Sequence, residues 1–267
     1  MPARTRSSYY VIMVADIEGF GRRPDPLQYW LRERMYGIAD AAMAASGIDF
    51  SGSPTPTDRG DGAFWLFPGT VPKVELTANF MRCLRAELRA YKQVSSADAE
   101  LRLRIALHSG EVARDRQSWV GTDLNTACRL VDIAPLKSCL QQCRPAADLV
   151  LAVSQAWHSS VLRHNHPDIS DDFLQVPFTA KEVRQNAWIT VPGHPLPPGT
   201  VAGAPDTAPS PDADGGTEPD ENSGEGGDES WPDLPQANTG RFAGARISAE
   251  RVYGGDHNEG TGGRASR

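Results

Sequence analysis

The chain has 267 residues, of which 39% are apolar and 23% charged, and its formal net charge is −7. Residues 192–240 hold ten acidic residues and no lysine or arginine, so the remainder carries a net charge of +3 and the overall acidity does not describe a binding site. No stretch approaches the roughly 20 apolar residues of a membrane-spanning helix, and the run Tyr9–Ala15 is too short for a secretion signal. With no basic stripe interleaved with aromatic residues, these features exclude membrane and nucleic-acid partners and predict a cytoplasmic protein.

Composition divides the chain into three parts. Residues 8–191 have the apolar content of a folded domain. Residues 192–240 combine ten prolines and nine glycines with like charge, so burial cannot offset the entropy of ordering, and we predict a disordered acidic linker. Residues 241–267 regain apolar and basic character from Arg241 to Tyr253, which makes them either a candidate motif for docking a protein partner or a plain disordered terminus.

The first predicted elements are a strand and a helix. The run Tyr9–Ala15 is continuous, β-branched and aromatic, as in a strand that is covered on both faces, and it ends at Asp16. Asp25 is a candidate N-cap, followed by Pro26 at the first helical position. Apolar residues then recur at helical spacing as far as Gly47, a typical helix stop.

The middle of the chain predicts a hairpin, a helix and a further strand pair. Two strands, Ile48–Phe50 and Ala63–Phe67, flank a segment with two prolines and several glycines that places Asp61 near the tip of a hairpin. An amphipathic helix follows over Val74–Lys92. The run Leu101–Leu107 alternates with period two and predicts a half-buried strand. Its candidate antiparallel partner comprises the short runs Glu111–Ala113 and Trp119–Val120.

The last third predicts two helices and three strands. Helical spacing resumes at Asp123, and a strand over Leu149–Val153 and a helix through Trp157 follow. A terminal strand pair lies near Phe173–Phe178 and Ala187–Val191. The resulting order, β-α-β-β-α-β-β-α-β-α-β-β, predicts an α+β fold in which helices cover one sheet.

Two aspartates are candidate metal ligands. Asp16 closes the first apolar strand, and Asp61 stands between glycines at the predicted hairpin tip. A sheet that sets these elements side by side brings the two carboxylates together, and carboxylate and phosphate oxygens form the hard site that Mg²⁺ or Mn²⁺ prefers. The alternative is that each is a turn or helix-capping aspartate.

One predicted helix carries a second candidate pair. Asn125 and Arg129 are four residues apart, so both side chains project from one face. An arginine there offers a rigid fork for phosphate oxygens, and an amide beside it suits a sugar hydroxyl. The alternative is a solvated helix face. The chain contains no P-loop, no dinucleotide-binding glycine motif and no G-x-S-x-G nucleophile turn.

Four segments in this order resemble the catalytic domain of class III nucleotidyl cyclases, the adenylate and guanylate cyclase family. They are A-D-I-E-G-F at residues 15–20, R-G-D-G at 59–62, L-R-I-A-L-H-S-G-E-V at 103–112 and W-V-G-T-D-L-N-T-A-C-R-L-V-D at 119–132. The resemblance covers roughly residues 8–191 and implies a ferredoxin-like, palm-type sheet covered by helices.

The resemblance also implies a role for each candidate residue. Asp16 and Asp61 correspond to the family's two metal-binding aspartates, and together with the backbone of Ile17 they hold two Mg²⁺ or Mn²⁺ ions. Asn125 corresponds to the ribose-orienting asparagine and Arg129 to the transition-state arginine, both of which act across the interface of a homodimer with composite sites. The corresponding triphosphate-binding positions are Gly19, Phe20 and Lys181.

The implied activity is that of a phosphorus–oxygen lyase, converting a nucleoside triphosphate into a 3′,5′-cyclic nucleotide and pyrophosphate in bacterial intracellular signalling. Two positions depart from the family pattern: Thr57 stands where adenylate cyclases have a base-reading lysine, and Ser118 where they have an aspartate. Either catalysis is retained and Thr57, Asp58 and Ser118 read another base through hydrogen bonds, or the domain is a catalytically degenerate nucleotide-binding homologue. In the second case it acts as a sensor or scaffold through its C-terminal tail.

Overall fold

The computed structural model describes residues 6–169, 171–180 and 183–197. Its strands are β1 (Ser7–Ile17), β2 (Thr57–Asp58), β3 (Gly62–Pro68), β4 (Leu103–Arg114), β5 (Trp119–Val120), β6 (Leu149–Ser154), β7 (Leu174–Ala180) and β8 (Val183–Thr190). They form one mixed sheet in the order β2-β3-β1-β4-β6-β8-β7, with β5 paired to β4. Strands β4 and β6 run parallel, and the other paired strands are antiparallel.

Helices cover both faces of this sheet. They are α1 (Asp25–Ser46), α2 (Lys73–Glu75), which continues through a π-helical turn (Leu76–Phe80) into α3 (Met81–Val94), then α4 (Thr122–Leu130), α5 (Ala134–Gln142) and α6 (Gln155–Ser160). The α1 face, covered by α1, α3 and α6, buries one apolar cluster, and the α4 face, covered by α4 and α5, buries another. None of the helices in the described residues is long and apolar enough to cross a membrane.

Strand β1 lies at the centre of the sheet, between β3 and β4. Its side chains alternate between the two clusters: Val11 and Met13 point to the α1 face, and Ile12 and Val14 to the α4 face. All four are at most 1% exposed. A strand that is buried on both sides reads as a continuous apolar run, as the sequence predicts for this segment.

The predicted α+β fold is confirmed, whereas two of the predicted strands and one predicted helix have different bounds. The sequence predicts a single helix after Asp123, whereas the structure has two, because α4 ends at Leu130 and α5 begins at Ala134 with Pro135 in its first turn. Helix α1 ends at Gly47 in the left-handed conformation, as predicted. The domain bounds remain a prediction, and residues 198–267 lie outside the described residues.

The prediction of a strand over Ile48–Phe50 is wrong. These residues form a loop after α1, and Phe50 packs on the core with its ring 4.8 Å from that of Phe67. The strand that pairs with β3 is β2, seven residues further on. A loop that anchors apolar side chains in a core has the same local composition as a strand, so the pattern does not separate the two cases.

Strand β4 is longer and more deeply buried than its alternating pattern predicts. It continues to Arg114, so Glu111–Ala113 extends β4 and is not its antiparallel partner; β5 alone pairs back onto it. The side chain of Arg102, directly before β4, is 1% exposed and that of Arg104 is 11% exposed. Buried arginines require anionic partners, and the partners lie on distant segments of the chain.

Candidate functional site

The end of β1 brings Asp16 and Asp61 together. Asp16 is 2% exposed and lies opposite Gly62 in the β1–β3 register, and the Ile17 amide donates to the backbone oxygen of Asp61 over 2.9 Å. A Cβ at Gly62 would overlap the backbone oxygen of Ala15, so only glycine allows the hairpin to approach β1 this closely. The pairing predicted from the strand end and the hairpin tip is therefore present in the fold.

The Asp16 carboxyl has a strongly perturbed environment. Burial raises its pKa, the Arg104 guanidinium opposes the shift, and the neighbouring Asp61 adds to it through charge and a hydrogen bond, so that the pKa of Asp16 reaches about 7. Two adjacent carboxylates in a buried setting resist simultaneous ionisation. A cation bound between them would take the place of the proton.

Arg104 completes this group and was not among the predicted site residues. It is the register partner of Asp16 on β4 and forms an ion pair with that carboxylate. Its Nε atom is buried and has no hydrogen-bond partner within the described residues. A buried donor without an acceptor is costly, which makes Nε available to an oxygen of a bound ligand. The available sequence signal is a basic residue inside an otherwise apolar strand.

The turn after β1 presents backbone amides next to the aspartates. Gly19 adopts a left-handed conformation (φ 66°) and leads into a 3₁₀ turn over Phe20–Arg22. The Phe20 side chain is 8% exposed and packs in the core, so only its backbone can meet a ligand. Among the described residues, the amide of Gly19 has no hydrogen-bond acceptor. Backbone amides in a turn with a left-handed residue form a concavity suited to an anion.

Glu18 anchors this turn to the rest of the domain. Its amide donates to the backbone oxygen of Arg102 over 3.0 Å, and its carboxylate accepts from Arg102 Nη1 at 2.5 Å and from Arg144 Nη2 at 3.1 Å. Arg102 also donates to the backbone oxygens of Leu140 and Ala147. This network restrains the turn that carries the Gly19 amide.

Helix α4 presents Asn125 and Arg129 to solvent. The opposite side of the helix packs on the sheet through Leu124, Ala127 and Leu130. Both polar residues are exposed, and neither side chain forms a hydrogen bond or ion pair within the described part of the chain. Their one-faced arrangement is as the spacing indicates, and it leaves both side chains available to a ligand or to a second chain.

The predicted base-reading positions lie on two hairpins. Thr57 is half-buried and pairs with Phe64, whereas Asp58 points to the α1 face, where it forms an ion pair with Arg32 and accepts from Tyr36 Oη at 3.3 Å. The Asp58 side chain therefore links β2 to α1, and it lies on the opposite face of β2 from the Thr57 side chain. Ser118 is exposed at the β4–β5 turn, with its amide 2.6 Å from Asp115 Oδ1.

The residues around Asp16 and Asp61 fit a divalent metal ion that takes some of its ligands from the protein and others from a bound phosphate. No group of three or more histidine, cysteine, aspartate or glutamate side chains suited to a metal occurs within residues 6–169, 171–180 and 183–197. Mg²⁺ characteristically binds one or two carboxylates and completes its octahedron with water and substrate phosphates. Two carboxylates, beside the backbone of Ile17 and next to the turn of Gly19, match that requirement. Lys181 lies outside the described residues.

Solved structures of adenylyl and guanylyl cyclase domains have similar folds. An adenylate/guanylate cyclase/hydrolase from Silicibacter pomeroyi gives a TM-score of 0.49 at 18% identity, covering 71% of this chain and 99% of that one. The adenylyl cyclase CyaB from P. aeruginosa gives 0.49 at 13% identity, covering 71% and 96%. A dimeric guanylyl cyclase domain of the RhoGC fusion protein from the aquatic fungus Blastocladiella emersonii gives 0.44 at 17% identity, covering 70% and 97%.

No family model matches the sequence, and no curated protein sequence does either.

We expect the metal-free protein to lose stability as pH rises toward 8, because of Asp16. Its pKa is about 7 in the fold against an ordinary value of 3.8, so the folded state binds the proton more tightly than the unfolded state. The corresponding stabilisation is complete below about pH 4 and lost as pH rises through about 7, on the order of 4 kcal/mol in all. The Asp16→Asn side chain cannot titrate. With rising pH, the unfolding free energy of the wild-type protein should therefore fall relative to that of the variant. Thermal unfolding in EDTA from about pH 5 to 8 measures this, and parallel curves for the two proteins would contradict it.

Proposed function

We propose that this chain is a nucleotidyl cyclase that converts a nucleoside triphosphate into a 3′,5′-cyclic nucleotide and pyrophosphate, in bacterial intracellular signalling. The observation that supports this most is the contact of the buried Asp16 with the exposed Asp61, with the pKa of Asp16 at about 7 and the turn of Gly19 beside it. This arrangement suits a metal ion and a triphosphate together. The proposed site is completed by Asn125 and Arg129 of a second copy of the chain.

Each residue of the proposed site has a distinct part in this reaction. Asp16 and Asp61, with the backbone of Ile17, would hold Mg²⁺ or Mn²⁺; when bound, these ions acidify the ribose 3′-hydroxyl and bind the phosphate oxygens. The amides of Gly19 and Phe20 would bind the triphosphate. Arg104, whose Nε lacks an acceptor, would bind a phosphate oxygen and keep the charge of the site balanced.

Asn125 and Arg129 would act on the reacting atoms. The Asn125 amide would orient the ribose so that its 3′-oxygen lies in line with the α-phosphorus. The Arg129 guanidinium would stabilise the charge that grows on the phosphoryl oxygens as pyrophosphate departs, an effect realised mainly in the transition state. Because both side chains are exposed on one face of α4, they are available to a site on another protomer, and a head-to-tail homodimer would contain two such sites.

The second candidate function is nucleotide binding without turnover. It is favoured by the uncharged residues Thr57 and Ser118 at the positions expected to read the base, since an unread base weakens positioning of the substrate. Retention of Asn125 and Arg129 favours catalysis, because a binding protein has less need of groups that act on the transition state.

Incubation with Mn²⁺ and each of ATP, GTP, CTP and UTP distinguishes the two functions. We expect one nucleotide to give a cyclic product and pyrophosphate, identified by mass, and the product to identify the base. Protein in EDTA is the control for metal dependence. Absence of any cyclic product, combined with metal-dependent nucleotide binding by calorimetry, would exclude the cyclase and leave the binding protein.

A further inference from the structure

Asp123 ties the first turn of α4 to strand β4. Its Oδ2 atom accepts from the Glu111 amide over 2.7 Å, and its Oδ1 atom lies 3.3 Å from His108 Nε2. A Cβ at Gly110 would overlap this carboxylate, so the glycine leaves the space that the Asp123 side chain occupies. The N-cap residue of α4, Gly121, has no side chain that could cap the helix. Asp123 therefore links the first turn of α4 to strand β4 through its carboxylate.

His108 extends this anchor into the core. The ring is 4% exposed on the α4 face, and its Nδ1 atom lies 2.7 Å from Ser154 Oγ. Ser154 is fully buried and caps α6 by accepting from the Trp157 amide over 3.2 Å. The Asp123 carboxylate can only accept, so Nε2 carries the ring proton and donates it to Asp123. In this neutral tautomer Nδ1 has no proton and accepts from the Ser154 hydroxyl. Burial lowers the pKa of His108 and so favours this neutral form.

Asn125 and Arg129 depend on this anchor for their position. Neither side chain has a hydrogen bond or ion pair within the described residues, so only the placement of the α4 backbone determines where they point. The helix has nine residues, too few to be stable by helix propensity alone, so its placement depends on contacts with the sheet. These contacts are the apolar packing of Leu124, Ala127 and Leu130 and the polar contacts of Asp123. A displacement of about 1 Å in groups that orient a substrate or stabilise its transition state costs on the order of 100-fold in rate.

We infer that Asp123 and His108 are positioning residues that set the orientation of α4 and thereby align Asn125 and Arg129 with the nucleotide. This inference rests on the proposed function for its kinetic consequence, but the anchoring of α4 stands on the contacts alone. Ser154, at the buried end of this chain of contacts, is the last residue of β6. Asp123, at the other end, lies on α4, the helix that carries the two side chains proposed to act on the substrate.

Replacement of Asp123 by alanine tests the inference. We expect kcat to fall about 10- to 100-fold, with KM for the nucleotide within about threefold, because the triphosphate is bound by the turn after β1 and not by α4. Asp123→Asn retains an oxygen acceptor for the Glu111 amide and should recover part of the loss. Asp40→Ala, an exposed aspartate on α1, is the matched control and should leave kcat unchanged. A merely structural role would lower stability without this split between kcat and KM and without rescue by asparagine.

Hydrogen–deuterium exchange provides a readout that needs no activity. We expect Asp123→Ala to speed exchange of the amides at residues 120–133 and to leave β1 and β6 unchanged, measured well below the unfolding temperature. If the wild-type protein makes no cyclic product, the proposed function fails while the exchange result still decides whether Asp123 anchors α4. Unchanged exchange in α4, or a rise in KM with constant kcat, would overturn the inference.

Discussion

Replacing Asp61 by asparagine is expected to reduce cyclic-nucleotide formation by about 100-fold or more without unfolding the protein. The change removes one of two carboxylates proposed to hold the metal ion, and loss of preorganised charge stabilisation has effects of this size. The fold should survive because Asp61 is exposed and contacts Ile17 through its backbone oxygen, which the substitution keeps. The measurement is the initial rate of pyrophosphate release at saturating Mn²⁺ and nucleotide. Asp16→Asn should give a loss of the same order.

Asp58→Asn is a matched control for this prediction. Asp58 lies on the same hairpin, three residues before Asp61, but its side chain pairs with Arg32 on the α1 face. Because that ion pair is solvent-exposed, its loss should cost roughly 0.2–1 kcal/mol of stability and should change the rate by no more than about twofold. Equal rates for Asp61→Asn and Asp58→Asn would show that the carboxylate of Asp61 takes no part in catalysis.

Mixing two inactive variants is expected to restore activity if the sites are composite. One chain carries Asp16→Asn and Asp61→Asn, and the other carries Arg129→Ala. In a head-to-tail heterodimer, one site combines both lesions and the other combines the intact aspartates of one chain with the intact arginine of its partner. With random exchange of subunits, half of the dimers are mixed and half of their sites are intact, so about a quarter of wild-type activity should return.

The control mixture combines Arg129→Ala with Asn125→Ala. Both lesions lie on α4, so each site of the mixed dimer receives one damaged helix and no intact site forms. Activity should therefore stay at the level of the separate variants. Recovery in neither mixture, or equal recovery in both, would contradict a site assembled from the aspartates of one protomer and α4 of the other.

The local features of the site could be predicted from the sequence. The continuous apolar run that ends at Asp16 indicates a central strand, and the glycines around Asp61 indicate a tight hairpin. Antiparallel pairing of β1 with β3 brings these ends together, although α1 and β2 lie between the two strands in the chain. The four-residue spacing of Asn125 and Arg129 likewise determines a shared helix face, because that period belongs to the helix itself.

The partners of buried charges could not be predicted in this way. Arg104 pairs with Asp16 across 88 residues of sequence, and Arg102 with Glu18 across 84. The alternating pattern around them predicts a solvent-facing edge, since arginine is rarely buried unless it is paired. The prediction of a strand over Ile48–Phe50 was wrong for a related reason. Whether an apolar segment joins a sheet or packs as a loop depends on the segments that lie beside it.

The sequence by itself determined on what kind of element each candidate residue lies, because hydrophobic period, glycine placement and spacing act over a few residues. Only the tertiary structure decided the environment of those residues. It showed that burial, with Asp61 alongside, raises the pKa of Asp16 to about 7, that Arg104 faces the same site, and that His108 and Asp123 anchor α4. These properties depend on desolvation and on contacts between distant segments, which exist only once the chain has folded.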